Sequence, residues 1–341
     1  MTRLRVGVAG LGIGQAHLLA YVLAPDLFEV VAIAETDAER RERGAADWGV
    51  PAVASVAELA ALDLDVVDIC TPPDLHEQHC AVALDAGRHV ICEKPIVVSL
   101  DALARLERKA QSAAGVLMPV FQYRFAPGLR RLRAAMEAGL CGRLYLATSE
   151  TSWWRDETYY STPWRRSATE SGGGAVFGHA THAHDLLTWI AGPLTHISGT
   201  VATLVNDVET EDTAAAFGRT ADGAVVSMSV TLGSIRELTR LRFCFEHVTV
   251  ESSTDPYEPG NEPWQFDWRT PDIAARAEAL WHGLDAEPNG YAGQLAAFHR
   301  AVTTGSPLPV TLADSRRALE LVEAWYRSAA DGRIAIPGMR S

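Results

Sequence analysis

LRVGVAGLGIGQAH, Leu4 to His17, is the stretch on which the reading of the fold turns. LRVGVA is a continuous apolar run, the pattern of a strand covered on both faces. Three glycines follow within five residues, and a helical pattern begins at Gln15. Strand, glycine turn and helix in that order present a helix N-terminus to a phosphate. Gly10 permits the tight turn and Gly12 lets the backbone approach a pyrophosphate, with Ile13 beside them. The spacing departs from a strict G-x-G-x-x-G, because Gln15 stands where the third glycine belongs and Gly14 comes one residue early. The two arginines before the apolar run give a superficial likeness to a signal peptide. The glycines, Gln15 and His17 fit a strand and turn better.

Outward from this turn the alternation continues. FEVVAIA (28–34), DVVDIC (65–70), RHVICE (88–93) and VLMPVF (116–121) read as buried strands. Helical patterns over Gln15–Leu23, Asp37–Trp48, Leu75–Ala86 and Leu100–Ala113 separate them. Ser99 is a good N-cap for the last helix, and Gly115 a good C-terminal glycine. Such alternation predicts a doubly wound parallel sheet, which binds ligands at the carboxyl ends of its strands. Glu35 ends the second strand, 21 residues after Gly14, where an acidic side chain commonly binds the adenosine ribose. That favours NAD over NADP, although Arg40 and Arg41 are close in sequence. The plainer role for Glu35 is a helix-capping carboxylate. Thr71, Pro72 and Pro73 end the third strand sharply and leave a loop to line the cofactor.

The chain has 341 residues, enough for two domains, expected at 1–121 and 122–341. A net charge of −13 argues against nucleic acid and anionic membranes as partners. No run of eighteen apolar residues suggests a membrane span. The five cysteines are scattered and form no C-x-x-C pair, which fits reduced thiols in a cytoplasm.

Beyond residue 121, stretches 194–206, 211–219, 223–232 and 238–251 alternate as strands do, with ADG (221–223) as a hairpin turn. One face of such a sheet needs cover, and self-association into a homodimer or homotetramer is one way to provide it. SWWRDETYYSTPWRRS (Ser152–Ser167) packs five aromatics and three arginines into a short polar stretch. Trp153, Arg155, Tyr160, Trp164 and Arg165 suit a flat, hydroxylated ligand, since aromatic faces stack on sugar C–H surfaces while polar tips bind hydroxyls. The plainer alternative is a core strand with surface arginines. Tyr123 and Arg124 are further pocket candidates, or a simple contact between domains. His179, His182 and Asp185 are spaced three apart on an expected helix, a pattern that imidazole–carboxylate metal sites also use. Further ligands are not evident, and no metal is expected. Residues 252–285 read as a variable excursion with a helix over Asp272–Trp281.

The glycine turn, the TPP-x-x-H segment (Thr71–His76), AGRHVICEKP (Ala86–Pro95), GGGAVFGHATHAHDLLTWIAGP (Gly172–Pro193) and the C-terminal segments beginning YAGQL and DSRRA resemble the glucose–fructose oxidoreductase / inositol dehydrogenase family, Gfo/Idh/MocA. The resemblance runs nearly the length of the chain. It implies an N-terminal Rossmann domain and a C-terminal α+β domain with a large open, mainly antiparallel sheet that often forms oligomers. It places Thr71, Pro72, His76, Glu93 and Lys94 at the cofactor and His182 at the substrate, with His179, next to Gly178, as a further substrate candidate. Lys94 is implied to handle the proton beside the nicotinamide, with Pro95 often in a cis bond, and His182 to assist. The family carries Asp or Asn four residues before that histidine; here the position is Gly178.

The implied activity is NAD-dependent hydride transfer at a secondary hydroxyl of a sugar, sugar derivative or cyclic polyol. The alternatives are a glycosidase or lyase of the same fold that shuttles hydride transiently, and a non-catalytic sensor binding NAD and sugar.

Overall fold

The computed structural model describes residues 2–282, 284 and 287–339. Its apolar runs become β1 (Leu4–Ala9), β2 (Phe28–Ala34), β4 (Val66–Ile69), β5 (His89–Cys92) and β6 (Leu117–Pro119), with a short β3 (Ala52–Val53) at one edge. All neighbours are parallel, in the order β3-β2-β1-β4-β5-β6. Between them run α1 (Gly14–Val22), α2 (Ala38–Trp48), α3 (Val56–Ala61), α4 (His76–Asp85) and α5 (Leu100–Ser112). Asp37, Ser55 and Ser99 cap α2, α3 and α5 by accepting backbone N–H bonds from Arg40, Glu58 and Ala102. Strand β3 and helix α3 were not anticipated, because two and six residues are too short for a periodic signal.

Gly115 has a different job from the one expected. The helix ends earlier, with Ala113 extended, and Gly115 has no positive φ. A Cβ there would lie 2.0 Å from the Arg88 carbonyl oxygen, so close backbone approach excludes a side chain.

The chain divides into two units, Met1–Gln122 with Pro288–Ser315, and Tyr123–Glu287 with Arg316–Ser341. A single boundary after residue 121 misses the return of 288–315 to the first unit. Helix Gly290–Thr304 is bound there by specific contacts. Its Gln294 side chain accepts from the Phe121 N–H at 3.0 Å and donates to the Pro119 carbonyl at 2.7 Å, extending the edge of β6. Phe298 and His299 on the same helix are buried.

The second unit is built on a seven-stranded sheet. Its strands are β7 (Leu144–Trp154), β8 (Leu194–Ala202), β9 (Thr213–Thr220), β10 (Val225–Thr231), β11 (Gly233–Phe245), β12 (Val248–Glu251) and β13 (Gln265–Trp268). The order is β13-β12-β11-β7-β10-β9-β8, antiparallel except for the β7–β10 pair. The central strand β7 was not anticipated, and it absorbs the first residues of the aromatic stretch. The expected run 238–251 splits into β11 and β12. Alternation puts Ala147, Val226, Met228 and Phe243 on a buried face, where helix Thr181–Ala191 packs against β7. The other face leaves Phe217 and Val225 exposed. Helix Pro271–Trp281 forms as expected, capped by Thr270.

Candidate active site

The carboxyl edge of β1 turns at Gly10, whose φ of +94° suits glycine. A Cβ there would meet the Cys70 carbonyl oxygen at 2.6 Å, so β1 and β4 crowd this turn. Around Gly12 a Cβ would meet nothing within 4 Å, which leaves backbone approachable from outside. Gly14 opens α1 and is buried against Val8 and Cys70, where a Cβ would lie 3.2–3.3 Å from their side chains. It therefore does the close helix–strand packing expected of a third glycine, despite its early position. Ile13 sits exposed between them. These features fit a dinucleotide pyrophosphate at the N-terminus of α1.

Glu35 lies at the end of β2 and is only 8% exposed. One of its carboxylate oxygens accepts from the Leu11 N–H at 3.1 Å and pairs with Arg40 at 3.2 Å, so it braces the glycine turn itself. Arg41 donates to the Glu35 and Thr36 carbonyls.

Beyond β4, the Thr71 hydroxyl contacts His79 Nδ1 at 2.9 Å, and Pro72 leads into a short turn before α4. His76 is buried with Nδ1 2.8 Å from the Pro95 carbonyl and Nε2 2.7 Å from the Thr71 carbonyl. Carbonyls only accept, so these contacts ask for two donors, while burial pushes the His76 pKa down. His76 thus ties the loop after β4 to the loop after β5.

That second loop holds Glu93 and Lys94, followed by a cis Lys94–Pro95 bond. Glu93 is buried; its Oε1 accepts from the Tyr291 hydroxyl at 2.9 Å and lies 3.0 Å from His17 Nε2. Its Oε2 accepts the Lys94 backbone N–H at 2.8 Å. Lys94 is partly buried, and burial lowers its pKa against the opposing charge of Glu93.

In the second unit the triple glycine leads into a π-helical turn, Ala175–His179, before helix Thr181–Ala191. Such turns are frequent at functional sites. A Cβ on Gly174 would fall 1.9 Å from the Glu211 carbonyl oxygen. The buried Glu211 carboxylate accepts from the N–H groups of Gly174 and Val176 at 3.1 and 2.9 Å and from the Tyr326 hydroxyl at 2.8 Å. Gly178 is different: a Cβ there meets nothing within 4 Å.

His182 is buried and stacks on Tyr123, with ring centroids 4.2 Å apart. Arg124 is buried too and binds the Asp185 carboxylate through two hydrogen bonds, with its guanidinium over Trp189. His179 lies in the π-helical turn rather than in the helix, so it does not share one helical face with His182 and Asp185. It contacts the rings of Trp153 and Tyr159.

The aromatic stretch divides. Trp153 is buried in β7 and donates to the Thr239 hydroxyl, and Tyr160 is buried with its pKa pushed up to about 12. Arg155 pairs with Glu237 at 3.0 Å and lies over Trp153, Tyr159 and Tyr257. Arg165 stacks on Tyr159 and Trp164. Arg155, Glu237 and Tyr257 line a recess of about 520 Å³ with Trp154 and Ile235.

Sequence reasoning passed over His17, Tyr291, Glu211 and Tyr326. Only His17 carried a local signal, being a histidine on an otherwise apolar helix face. The others are joined to their loops by contacts across 35 to 198 residues.

The comparisons with known proteins agree with this geometry. Several relatives match over about half of their own length. One is the levoglucosan dehydrogenase of Pseudarthrobacter phenanthrenivorans, 29% identical over 60% of this chain and 55% of that one. The inositol 2-dehydrogenase of Rhizobium meliloti is 27% identical over 96% of this chain and 98% of that one. The WlbA dehydrogenase of Bordetella pertussis, solved with NADH and UDP-GlcNAcA, superposes with a TM-score of 0.87 at 27% identity over 99% of this chain and all of that one. Residues 4–121 match the oxidoreductase family with an NAD-binding Rossmann fold, and residues 129–251 match the GFO/IDH/MocA C-terminal domain. With the glycine turn, the Glu93-Lys94-Pro95 loop and the mixed sheet all in place, the chain belongs to the GFO/IDH/MocA oxidoreductase family.

Proposed function

We propose that this protein is an NAD-dependent dehydrogenase acting on a secondary hydroxyl of a sugar, sugar derivative or cyclic polyol. The observation that carries the reading is Lys94. It leaves the carboxyl end of β5, one strand from the loop at Thr71 and two from the Gly10–Gly14 turn, with its pKa lowered by burial. A lysine tuned toward neutrality is suited to accept the proton of a hydroxyl being oxidised, and to return it in the reverse direction. Bound NAD supplies the hydride acceptor. Gly10, Gly12 and Gly14 would hold its pyrophosphate and Glu35 its ribose, and Glu93 fixes the backbone from which Lys94 projects. His182 is the second proton-handling group in this reading, oriented by its stack on Tyr123 rather than by a residue at position 178. Relatives named for inositol and levoglucosan and a neighbour holding a nucleotide sugar support the substrate class. Self-association over the sheet face bearing Phe217 and Val225 belongs to the same reading.

The test is a panel of monosaccharides, inositols, anhydrosugars and nucleotide sugars with NAD and then NADP, followed at the reduced-nicotinamide absorbance. Growth of that absorbance with one class and NAD is the expected result. A flat trace across the panel, with NAD bound tightly, would refute the dehydrogenase reading; aglycone release from glycosides would then mark a hydride-shuttling hydrolase.

A further inference from the structure

His17 is fully buried in α1, yet both of its ring nitrogens face carboxylates. Nδ1 lies 2.8 Å from Asp68 Oδ2 in β4, and Nε2 lies 3.0 Å from Glu93 Oε1 after β5. A neutral imidazole donates from one nitrogen only, so two ionised acceptors at hydrogen-bond distance call for an imidazolium. The surroundings supply further donors to the same oxygens. Tyr21 donates to Asp68 Oδ2 at 2.8 Å, and Tyr291 to Glu93 Oε1 at 2.9 Å. The Tyr291 ring also packs against His17, with centroids 4.3 Å apart. Cys70 is a further titratable neighbour of His17, a thiol held protonated by burial, and His76 also feels the Glu93 charge.

His17, Asp68 and Cys70 could be read as a metal cluster, since one ligand atom from each lies within 4.8 Å of the others. The geometry speaks for hydrogen bonds instead. Both ring nitrogens already meet carboxylate oxygens, and the Cys70 sulfur lies 3.6 Å from the other oxygen of Asp68.

We propose that His17 is a positioning residue for Lys94: held as an imidazolium between Asp68 and Glu93, it fixes the carboxylate that binds the Lys94 backbone N–H and offsets that carboxylate's charge. The inference rests on reading Lys94 as the proton-handling group. Glu93 holds the lysine loop with one oxygen while His17 and Tyr291 hold the other. Without a cation at position 17, more of the Glu93 charge acts on Lys94 and favours the ammonium form. A lysine that stays charged at neutral pH is a poorer base.

The test uses the full chain carrying His17→Gln, with competitive acetylation of Lys94 by acetic anhydride across pH and peptide mass spectrometry as readout. This reports the protonation of Lys94 without turnover. The labelling midpoint should rise by about one pH unit. In parallel, kcat near neutrality should fall about tenfold and recover as pH rises, with NAD affinity within about threefold of the parent. An unchanged midpoint in folded His17→Gln protein overturns the proposal. If that variant does not fold, Tyr291→Phe removes one donor from the same Glu93 oxygen. It should shift the midpoint the same way by less, and no shift overturns the proposal equally. Should Lys94→Ala retain turnover while His17→Gln still moves the midpoint, the catalytic reading of Lys94 fails and the coupling stands.

Discussion

Two buried glutamates, one in each unit, hold the two segments that carry the candidate proton-handling side chains, and they do so with different partners. Glu93 holds the Lys94 N–H and faces an imidazole and a tyrosine hydroxyl. Glu211 holds the N–H groups of Gly174 and Val176 and faces a tyrosine hydroxyl. The device is shared: a carboxylate pins a loop backbone that its neighbours cannot satisfy. The electrostatics differ. Beside Glu93 stands a cation that offsets its charge, while burial around Glu211 pushes its own pKa up. The first arrangement suits a loop that must control the charge of a neighbouring lysine. The second suits a loop that must only keep its shape.

The largest test of this contrast is Lys94→Ala. Turnover should drop by about 10²–10⁴-fold with NAD binding nearly intact, measured by steady-state kinetics and calorimetry. Undiminished turnover would leave the Glu93 loop with a structural role only, like its counterpart. Next in size is a pair of glycine substitutions in the second loop. Gly174→Ala should lower stability by about 3 kcal/mol in denaturant titration, since its Cβ would strike the Glu211 backbone. Gly178→Ala should change stability by no more than about 0.5 kcal/mol, having open space around it. Similar losses at both positions would mean that the whole π-helical turn, not its anchor on Glu211, sets its stability. The same open space makes Gly178→Asp a fair test of the carboxylate expected there from the family resemblance: activity should rise if a carboxylate adds to the orientation that the Tyr123 stack gives His182.

A smaller effect separates the two glutamates by pH. At His17 burial works downward, but the Asp68 carboxylate outweighs it and holds the pKa well above 6.5. Its stabilising contribution is therefore complete below about pH 6.5 and is lost as pH rises through the elevated value. Glu211 is raised above 4.5, so the sign is the same and the window starts lower: its contribution fades as pH rises from about 4.5. Melting temperatures of His17→Gln should flatten the profile as pH rises from about 6.5, and those of Glu211→Gln as pH rises from about 4.5. Identical flattening by both would erase the distinction drawn here. The smallest effect expected is at the ribose end: Glu35→Ala should weaken NAD more than NADP, by about tenfold in titration. Since Glu35 also braces Leu11, equal loss for both cofactors would assign it to the turn alone.

The strand runs of the first unit were legible because strands buried on both faces are predominantly apolar, the buried Asp68 in β4 being an exception held by His17 and Tyr21. Local order alone made Gly10 and Gly12 readable, and the cap at Ser99 followed from residue type, while Asp37, read as the first helical residue, proves to be the cap of α2. The second unit was harder. Its central strand β7 carries Thr148, Glu150 and Ser152 on the side away from the core and Ser149 and Thr151 on the buried side, so no apolar–polar alternation marks these residues as a strand. Tyr123, Trp153, Arg155 and Arg165 were singled out for their chemistry, yet the partners that now hold them, His182, Thr239, Glu237 and Tyr159, follow from no spacing.

What the sequence determined by itself is the main strand–helix alternation of the first unit, the glycine turn, and the chemical identity of Lys94 at a strand end. These depend on residues within one helical turn or one strand of each other. Only the tertiary structure decided that Gly14 packs as a third glycine, that Arg124 belongs to Asp185, and that His17 lies between two carboxylates. Those facts depend on which chain segments meet after the core closes. Burial then turns each meeting into an energetic constraint, because a charge removed from water must find a partner.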